Sequence, residues 1–313
     1  MPRRIGATGL RVLLVSGRAN RRQTRERERP MLSYHAVLHA MEARSGLSSI
    51  DRLWMAVRHS LDGHLPYARY HQAGLRRDRA KSSVSNIERS VVEWLATDIN
   101  PSVQGVRLGS SLAMLIVGYN AYNASACVAV KTRVEAKNGG GETRYVARRE
   151  LIGTELDPES CKVGALAVFE TLIRDMERRL RAGVVDGSLT ISMVAQRLGV
   201  EWTASAEAAA VFERRGHISI PELARELGCG QRTLERQIKE EGGNAESIRS
   251  SARMVTATRM LSTNVSLTEV ALSAGFSDSA HMSRSVKVAS GLTPSVLRKI
   301  MMAQLSRTGE LVN

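Results

Sequence analysis

The fold of the carboxy-terminal part is decided by residues 266–275, SLTEVALSAG, and by residues 219–228, SIPELARELG, which repeat the same pattern 47 positions earlier. Each stretch begins with a serine that can cap a helix, and it ends with a glycine, which readily adopts the left-handed conformation behind a helix. Ala224 and Ala271 occupy equivalent positions inside the two stretches and are small enough for another helix to cross closely above them. Each stretch therefore predicts a short, capped helix.

A second amphipathic helix follows each short helix, and the second of the two turns is one residue longer. The apolar residues Leu234 and Ile238 in the first copy, like Met282 and Val286 in the second, stand four positions apart and share one buried face. A short helix, a glycine turn and a second helix form the helix-turn-helix pattern. The residues that we expect to contact DNA from the opposite faces are Gln231, Arg232, Thr233, Glu235, Arg236 and Lys239 in the first copy and Ser279, Ala280, Ser283, Arg284 and Lys287 in the second.

The residue types on these faces suit DNA recognition. Arginine can pair with guanine through two hydrogen bonds, glutamate accepts from cytosine, serine or an alanine methyl group can contact thymine, and lysine binds phosphate. We expect Arg232, Glu235, Arg236, Ser283 and Arg284 to read bases, and Lys239 and Lys287 to bind phosphates. For a single helix, a charged face that is merely solvated is the usual interpretation. Two copies of one unit favour DNA binding instead.

The spacer between the two copies predicts one long helix. Asn244 can cap a run from Ala245 to about Ser262, and the apolar residues of that run are spaced for one buried side. Such a helix of roughly 18 residues rises about 27 Å. This length is near the turn of B-DNA, about 34 Å, so a rigid spacer would let both helices enter successive major grooves.

These residues resemble the AraC/XylS family of bacterial transcription regulators over about Thr203 to Met301. The resemblance rests on Leu223-Ala224 through Leu227-Gly228, Leu234-x-Arg236, Glu241-Gly242, Arg253-Met254-x-x-Ala257, Leu261, Val270-Ala271 to Gly275-Phe276-Ser277-Asp278, His281-Met282-Ser283-Arg284, Lys287, Gly291-Leu292-Thr293-Pro294 and Arg298. It implies a sequence-specific, DNA-binding regulator of transcription, with activation as the favoured mode, promoter or operator DNA and RNA polymerase as partners, and a cytoplasmic location. It also implies that His281 and Arg298 are scaffold positions that hydrogen-bond within the domain.

Two other functions stay open. A DNA-repair or DNA-modifying enzyme carrying the same domain would need a reactive cysteine beside metal-ligand cysteines or a base-activated nucleophile. Cys127, Cys161 and Cys229 are scattered and give no such arrangement. An architectural protein that binds DNA without sequence preference would not need two differing faces. We therefore expect no catalytic residue, no cofactor and no metal site.

The charge of the chain favours a polyanionic partner. Lys and Arg outnumber Asp and Glu by 45 to 31, a formal net charge of +14. Residues 1–30 hold nine Arg and two Glu, so half of the excess lies in this segment. We expect these residues to be a disordered basic arm, and Met31 is a candidate translation start. Because the cysteines are few and no apolar stretch is long enough to cross a bilayer, we expect a cytoplasmic protein without membrane contact.

The amino-terminal half mixes helical and strand patterns. The predicted elements are helices over Leu32–Arg44 and Ile50–Leu61, a helix capped by Ser85 with Glu88, a strand over Leu112–Tyr119, a hairpin of Cys127–Glu135 and Thr143–Leu151 around Asn138-Gly139-Gly140-Gly141, and a helix opened by Asp157-Pro158-Glu159 and ended by Gly183. The predicted class is α+β, with a mixed helix-and-strand regulatory domain followed by an all-α DNA-binding domain whose two helix-turn-helix units are joined by a linker helix. The predicted domain boundaries are 1–30 for the arm, 31–183 for the regulatory domain, 184–202 for a linker, 203–301 for the AraC-type DNA-binding domain and 302–313 for a tail.

Self-association and effector binding are the two roles that the resemblance implies for residues 31–183. A stripe of apolar residues steps by three and four positions through the predicted long helix, as in a coiled-coil seam, and consists of Leu166, Phe169, Ile173, Met176 and Leu180. This stripe either packs on its own domain or forms a homodimer. Tyr119, Tyr122 and Trp94 either line a pocket for a small-molecule effector or fill the core. Residues 190–199 echo the short-helix pattern and are interpreted as a brace or a degenerate copy.

Overall fold

Helices predominate in the part of the chain that the computed structural model describes, which comprises residues 3–5, 10–18, 32–43, 46–139, 142–151, 157–216 and 218–305. The strands are β1 (Arg3–Ile5), β2 (Leu10–Arg18), β3 (Leu32–Tyr34), β4 (His64–Pro66), β5 (Val130–Gly139) and β6 (Glu142–Leu151). The helices are α1 (Ala36–Glu42), α2 (Ser49–Leu61), α3 (Tyr67–Arg79), α4 (Val84–Leu95), α5 (Pro101–Arg107), α6 (Leu112–Ser125), α7 (Glu159–Arg181), α8 (Ile191–Leu198), α9 (Ala204–Arg215), α10 (Ile220–Glu226), α11 (Gln231–Glu240), α12 (Ala245–Met260), α13 (Leu267–Ala274), α14 (Ser279–Ser290) and α15 (Pro294–Leu305). The strands lie in the first half and the carboxy-terminal part is helical, as the α+β class predicts.

The main sheet has four strands in the order β1-β2-β6-β5. β5 and β6 form the predicted antiparallel hairpin, with Gly139 opposite Glu142. β2 pairs in parallel with β6, from Val12 opposite Tyr145 to Arg18 opposite Leu151. This pairing corrects the expectation of disorder for the basic arm, because β1 and β2 belong to it. The β-branched and apolar residues of the run LRVLLVSGR explain why this part of the arm forms a strand.

The strand predicted over Leu112–Tyr119 is wrong, because these residues form the first half of α6. The Ser111 hydroxyl caps this helix by accepting a hydrogen bond from the Met114 amide at 3.3 Å. A short apolar run does not distinguish a strand from a buried helix. Here the serine cap at Ser111 favours the helix. The hairpin's neighbouring strand is β2 instead.

Two predicted helix starts are shifted. The helix predicted from Leu32 begins only at Ala36, since residues before it form β3, which pairs antiparallel with β4. α4 is capped by Ser83, whose hydroxyl accepts from the Asn86 amide at 3.3 Å, and not by Ser85. By contrast, α2 follows its prediction closely.

The start of α7 also differs from the prediction. Asp157 does not cap the helix; its carboxylate forms a buried ion pair with Arg149 at 2.8 Å. The amides of Glu159 and Ser160 donate instead to the Asp78 carboxylate, each at 2.8 Å. A carboxylate from another helix thus satisfies the amides that Asp157 was expected to satisfy.

The apolar stripe of α7 faces the core of its own chain. Phe169, Ile173 and Met176 are at most 3% exposed and pack with residues of α5, α6, β5 and β6, while Leu166 packs against the same cluster. Leu180, at the end of the stripe, is 38% exposed. This burial favours the alternative in which the stripe packs on its own domain.

The segment 184–202, predicted as a linker, contains α8. Val194 and Ala195 of this helix are fully buried in a core that α8 shares with α2, α9, α10, α11 and α12. The Thr190 hydroxyl caps α8, and Gly199 ends it in the left-handed conformation with φ +68°. The echo of the repeat is therefore a helix that braces the first helix-turn-helix unit against α2.

Candidate nucleic-acid interface

The first helix-turn-helix unit consists of α10 and α11. The Ser219 hydroxyl accepts from the Glu222 amide at 3.3 Å, and the Glu222 carboxylate accepts from the Ser219 amide at 2.7 Å, which forms a capping box. Gly228 follows α10 with φ +68°, a conformation that favours glycine. Two residues then separate Gly228 from α11, which begins at Gln231.

The second unit consists of α13 and α14. The Ser266 hydroxyl caps α13 by accepting from a first-turn amide at 3.1 Å, and Gly275 ends it with φ +85°. Three residues separate Gly275 from α14, so the second turn is one residue longer, as the sequence predicts. The Asp278 carboxylate caps α14 by accepting from the His281 amide at 2.7 Å, and this bond lowers the pKa of Asp278.

The inward faces of both units are buried as predicted. Leu234, Ile238, Met282 and Val286 are at most 1% exposed. The first pair belongs to the core that contains α2, α8 and α9, and the second pair belongs to a separate core that contains α13 and α15. Each unit is therefore held by its own set of neighbours.

The linker helix α12 contributes to both cores. Ile248, Ala252 and Val255 pack in the core of the first unit, whereas Ala257 and Leu261, at its carboxy-terminal end, pack in the core of the second. The 16 residues of α12 rise about 24 Å, slightly less than the sequence predicted. The two units are thus joined by one helix that is buried at both ends.

The outward faces of the two recognition helices, α11 and α14, are open to solvent. All six predicted contact residues of α11 are exposed, as are Ala280, Arg284 and Lys287 of α14, while Ser279 and Ser283 are half-buried. Within α11, the Arg236 guanidinium pairs with the Glu240 carboxylate at 2.8 Å. The side-chain amide of Gln231 donates to the Glu235 carboxylate at 2.8 Å. Among the described residues, Arg232, Arg284 and both lysines have no ion-pair partner.

The two scaffold positions behave differently. His281 hydrogen-bonds through Nδ1 with the Ser277 hydroxyl at 3.1 Å, and its ring stands edge-on to Phe276 with centroids 5.2 Å apart. Nε and Nη2 of Arg298 are buried and have no hydrogen-bond partner in the described part of the chain.

The carboxy-terminal end of each recognition helix docks on the amino-terminal region. For α14, the Asn100 amide donates to the Ala289 carbonyl at 2.8 Å, and the His64 ring donates to the Val288 carbonyl. For α11, the Arg58 guanidinium donates to the Gly242 carbonyl at 2.8 Å. No local pattern in the sequence predicts these contacts, because each joins residues more than 180 positions apart.

Two cavities lie in the amino-terminal region. A cavity of about 110 Å³ is lined by Tyr119 and Tyr122 together with apolar residues and the buried Arg149. A larger cleft of about 490 Å³ is lined by Trp94. The three aromatic residues that the sequence singled out therefore line cavities, and Tyr119 is also a buried core residue.

Within the described ranges, no group of three His, Cys, Asp or Glu side chains is placed to hold a metal ion. None of the helices there combines the length and apolar character that crossing a bilayer requires.

Comparisons with known proteins support the helix-turn-helix assignment. Residues 223–300 match the family model described as "Helix-turn-helix domain", and this range spans both units and α12. No curated protein sequence matches the chain. The crystal structure of transcriptional regulator CdpR from Pseudomonas aeruginosa aligns with 83% of this chain and 89% of that chain at 12% identity, with a TM-score of 0.30. Residues 223–300 are therefore a helix-turn-helix domain, a kind of domain that binds DNA.

Proposed function

We propose that this protein is a sequence-specific transcription regulator that inserts α11 and α14 into successive major grooves of promoter or operator DNA. The observation that carries the proposal is that one helix, α12, is buried in the cores of both units while both recognition helices keep exposed outward faces. The exposed arginines Arg232 and Arg284 are free of ion pairs among the described residues and so are available to guanine. Lys239 is exposed about two turns after Arg232, and Lys287 is exposed about one turn after Arg284; both lysines suit phosphate.

The two faces differ in composition, which supports sequence-specific binding over architectural binding. α11 carries three basic residues, Arg232, Arg236 and Lys239, and two acidic residues, Glu235 and Glu240. α14 carries Arg284 and Lys287 and no acidic residue. Two unlike faces read two unlike half-sites, so one chain recognises an asymmetric sequence.

Hydroxyl-radical footprinting tests the double insertion. The protein would first select its sites from genomic fragments, and one selected site would then be footprinted. We expect two protected segments on one face of the duplex, about 10 base pairs apart. Protection confined to a single groove would contradict the proposal.

Affinity measurements separate the regulator from an architectural protein. The dissociation constant for a selected site is compared with that for random DNA of the same length and at the same salt concentration. We expect the selected site to bind at least 10³-fold more tightly, as is typical of specific binding. Equal affinity for both DNAs would favour an architectural role.

Activation is the favoured mode, with RNA polymerase as the partner in the cytoplasm. In a purified transcription assay, adding the protein to a template that carries a selected site should increase transcript yield. A decrease at every position of the site relative to the promoter would identify a repressor.

We propose that the chain is not a DNA-repair or DNA-modifying enzyme. Burial raises the pKa of the Cys161 thiol to about 12, so this group is not a ready nucleophile. Cys127 is exposed but belongs to no metal-ligand group in the described ranges. Transfer of a labelled methyl group from alkylated DNA to Cys127 or Cys161 would contradict this assignment.

A further inference from the structure

The cleft of about 490 Å³ is lined by residues of the amino-terminal region and by no residue of the helix-turn-helix units. It is lined mainly by residues of α1, α2 and α4, with Arg77 from α3. Its volume falls within the usual range for small-molecule sites, about 300 to 1,000 Å³. None of the predicted DNA-contacting residues lines it.

The lining contains an unsatisfied polar atom. Nδ1 of His59 is buried and has no hydrogen-bond partner among the described residues. The His59 ring lies against the rings of His39 and Trp94, with centroid distances of 4.2 Å and 5.1 Å. A buried polar atom without a partner destabilises the free protein, and a bound group that hydrogen-bonds to it removes that penalty.

Three arginines, Arg52, Arg77 and Arg89, line the same cleft. Arg52 donates to the Glu93 carbonyl at 3.1 Å, and Arg77 donates to the Met41 carbonyl, so both guanidinium groups are held in place with further N–H groups left over. An arginine can bind a carboxylate or a phosphate through two parallel hydrogen bonds.

The three arginines outnumber the two acidic residues of the lining, and one of these two, Asp98, also faces the buried guanidinium of Arg107. The carboxylate of Asp98 already accepts from the Tyr34 hydroxyl at 2.8 Å, the Trp94 indole at 3.1 Å and the Asn100 amide at 2.9 Å. Glu93 is the other acidic residue of the lining. The lining thus keeps an excess of positive charge beside an unsatisfied polar atom, which suits an anionic occupant.

α2 also contacts the DNA-binding part, and its Ala56 belongs both to the lining of the cleft and to the core of the first unit. Leu53, Trp54 and Val57 pack in the core of the first helix-turn-helix unit. The hydroxyls of Ser60 and Ser251 hydrogen-bond at 2.6 Å, which connects α2 to the linker helix α12. A movement of α2 caused by an occupant of the cleft would therefore displace its contacts with α12, the helix that joins the two units.

We propose that this cleft binds a small organic anion, with its carboxylate or phosphate among Arg52, Arg77 and Arg89 and a hydrogen-bonding atom beside His59, and that binding changes DNA affinity through α2. The regulatory part rests on the function proposed above. Anion binding itself is measured without DNA. A failure of the anion-site proposal is therefore distinguishable from a failure of the proposed DNA-binding function.

The first experiment uses the fluorescent anion 8-anilinonaphthalene-1-sulfonate as the probe. This molecule is too large for the 110 Å³ cavity, because a cavity of about 150 Å³ holds only benzene. We expect saturable binding at one site per chain, and at least tenfold weaker binding in the double variant Arg77→Gln, Arg89→Gln. The matched control Arg133→Gln, Arg178→Gln removes two exposed arginines outside the cleft and should bind the probe like the original protein.

A second variant tests the unsatisfied atom. His59→Phe keeps a ring edge-on to Trp94 but removes Nδ1, so we expect probe binding to weaken at least fivefold. Thermal unfolding of each variant verifies that it is folded. Unchanged probe affinity in the folded double arginine variant, or in folded His59→Phe, would overturn the assignment of the site.

Competition distinguishes the two sources of the anionic group. Citrate supplies carboxylates, glycerol 3-phosphate supplies a phosphate, and glycerol is the neutral control, all at one ionic strength. Displacement of the probe by one of the two anions identifies the preferred group. Displacement by neither anion, or equally by glycerol, would overturn the proposal of an anion site.

DNA binding provides the final measurement. The displacing anion should change the dissociation constant for a selected site at least threefold at constant ionic strength, and the change should vanish in the double arginine variant. The double variant without anion should bind DNA like the original protein. An identical dissociation constant with and without the bound anion would overturn the regulatory part.

Discussion

The two helix-turn-helix units follow the same local plan but are anchored differently. The first unit packs on other helices, α2, α8 and α9, and its recognition helix is followed by glycines that lie against Trp54. The end of the second recognition helix receives hydrogen bonds from Asn100 and His64, and Gly291 packs against the backbone of β3. Local sequence therefore sets the shape of each unit, whereas distant residues determine how firmly each recognition helix is held.

The largest expected effect comes from filling the close contact of the second unit. Gly291 has φ +76°, and an added Cβ would stand 2.6 Å from the Leu32 carbonyl oxygen. Backbone strain and overpacking together should make Gly291→Ala about 2 to 5 kcal/mol less stable to urea unfolding. Hydrogen exchange should rise more in α14 than in α11.

Two further glycine variants sharpen this result. In Gly243→Ala the new methyl group overlaps the Trp54 ring, which should cost about 1 to 3 kcal/mol and raise exchange in α11 instead. Gly199→Ala is the matched control, because Gly199 has φ +68° and open space around its Cα, so it reports backbone strain alone. Equal exchange changes in α11 and α14 for both variants would contradict separate anchoring.

Acid should loosen the anchors of the second unit. Burial lowers the pKa of His35 and of His59 to about 3, and burial also lowers the pKa of His39. Because these rings bind protons near pH 6.5 when unfolded, their stability contribution is full above that pH and is lost as the pH falls towards 3.

From pH 7 to pH 5 we expect the two strongly shifted histidines together to remove about 2 to 4 kcal/mol from the free energy of unfolding. Urea titrations at both pH values measure this loss, and His59→Phe should reduce it. Asn100 donates to the His59 carbonyl at 2.7 Å as well as to α14, so exchange should rise first in α14. A pH profile that is unaltered in His59→Phe would contradict the assignment.

Matched arginine variants compare how much each recognition helix contributes to recognition of bases. Arg232→Ala and Arg284→Ala should each weaken binding to a selected site by about 1 to 3 kcal/mol and relax sequence choice in different half-sites. Lys287→Ala should instead weaken binding to all sequences alike. Equal losses on selected and random DNA for Arg284→Ala would show that this arginine contacts phosphate.

The smallest expected effect concerns the acidic residues of α11. Glu240 pairs with Arg236, and both side chains are more than 60% exposed. Glu240→Gln should cost the helix only about 0.3 to 0.5 kcal/mol, while freeing Arg236 and strengthening DNA binding slightly. Electrophoretic mobility shifts at low salt measure this gain, and weaker binding would show that Glu240 itself contributes a contact.

The features that were predictable from the sequence depend on neighbours along the chain. Ser219, Gly228, Ser266 and Gly275 cap and end their helices as expected, because caps and left-handed glycines act within a few residues. The helix at Leu112 was mistaken for a strand, since its apolar run fits both structures. The strand in the basic arm was missed because charge outweighed the apolar run that pairs with β6.

The candidate anion cleft lay beyond prediction for another reason. His59 and Arg77 come from different helices, and each would be an ordinary helix residue in isolation. Their meeting depends on how α2, α3 and α4 pack, which no spacing in the sequence encodes. The stripe on α7 likewise fits a seam and a core equally, and only its burial distinguishes the two.

For the double insertion proposed above, a helix common to two cores makes the interval between the two half-sites a fixed requirement of the target. Inserting one base pair would turn the second half-site by about 35° around the duplex axis and move it by about 3.4 Å. Because the two ends of α12 are buried in the cores of the two units, the second unit does not rotate relative to the first to match the shifted half-site. Operators of this protein should therefore tolerate changes of base more readily than changes of length.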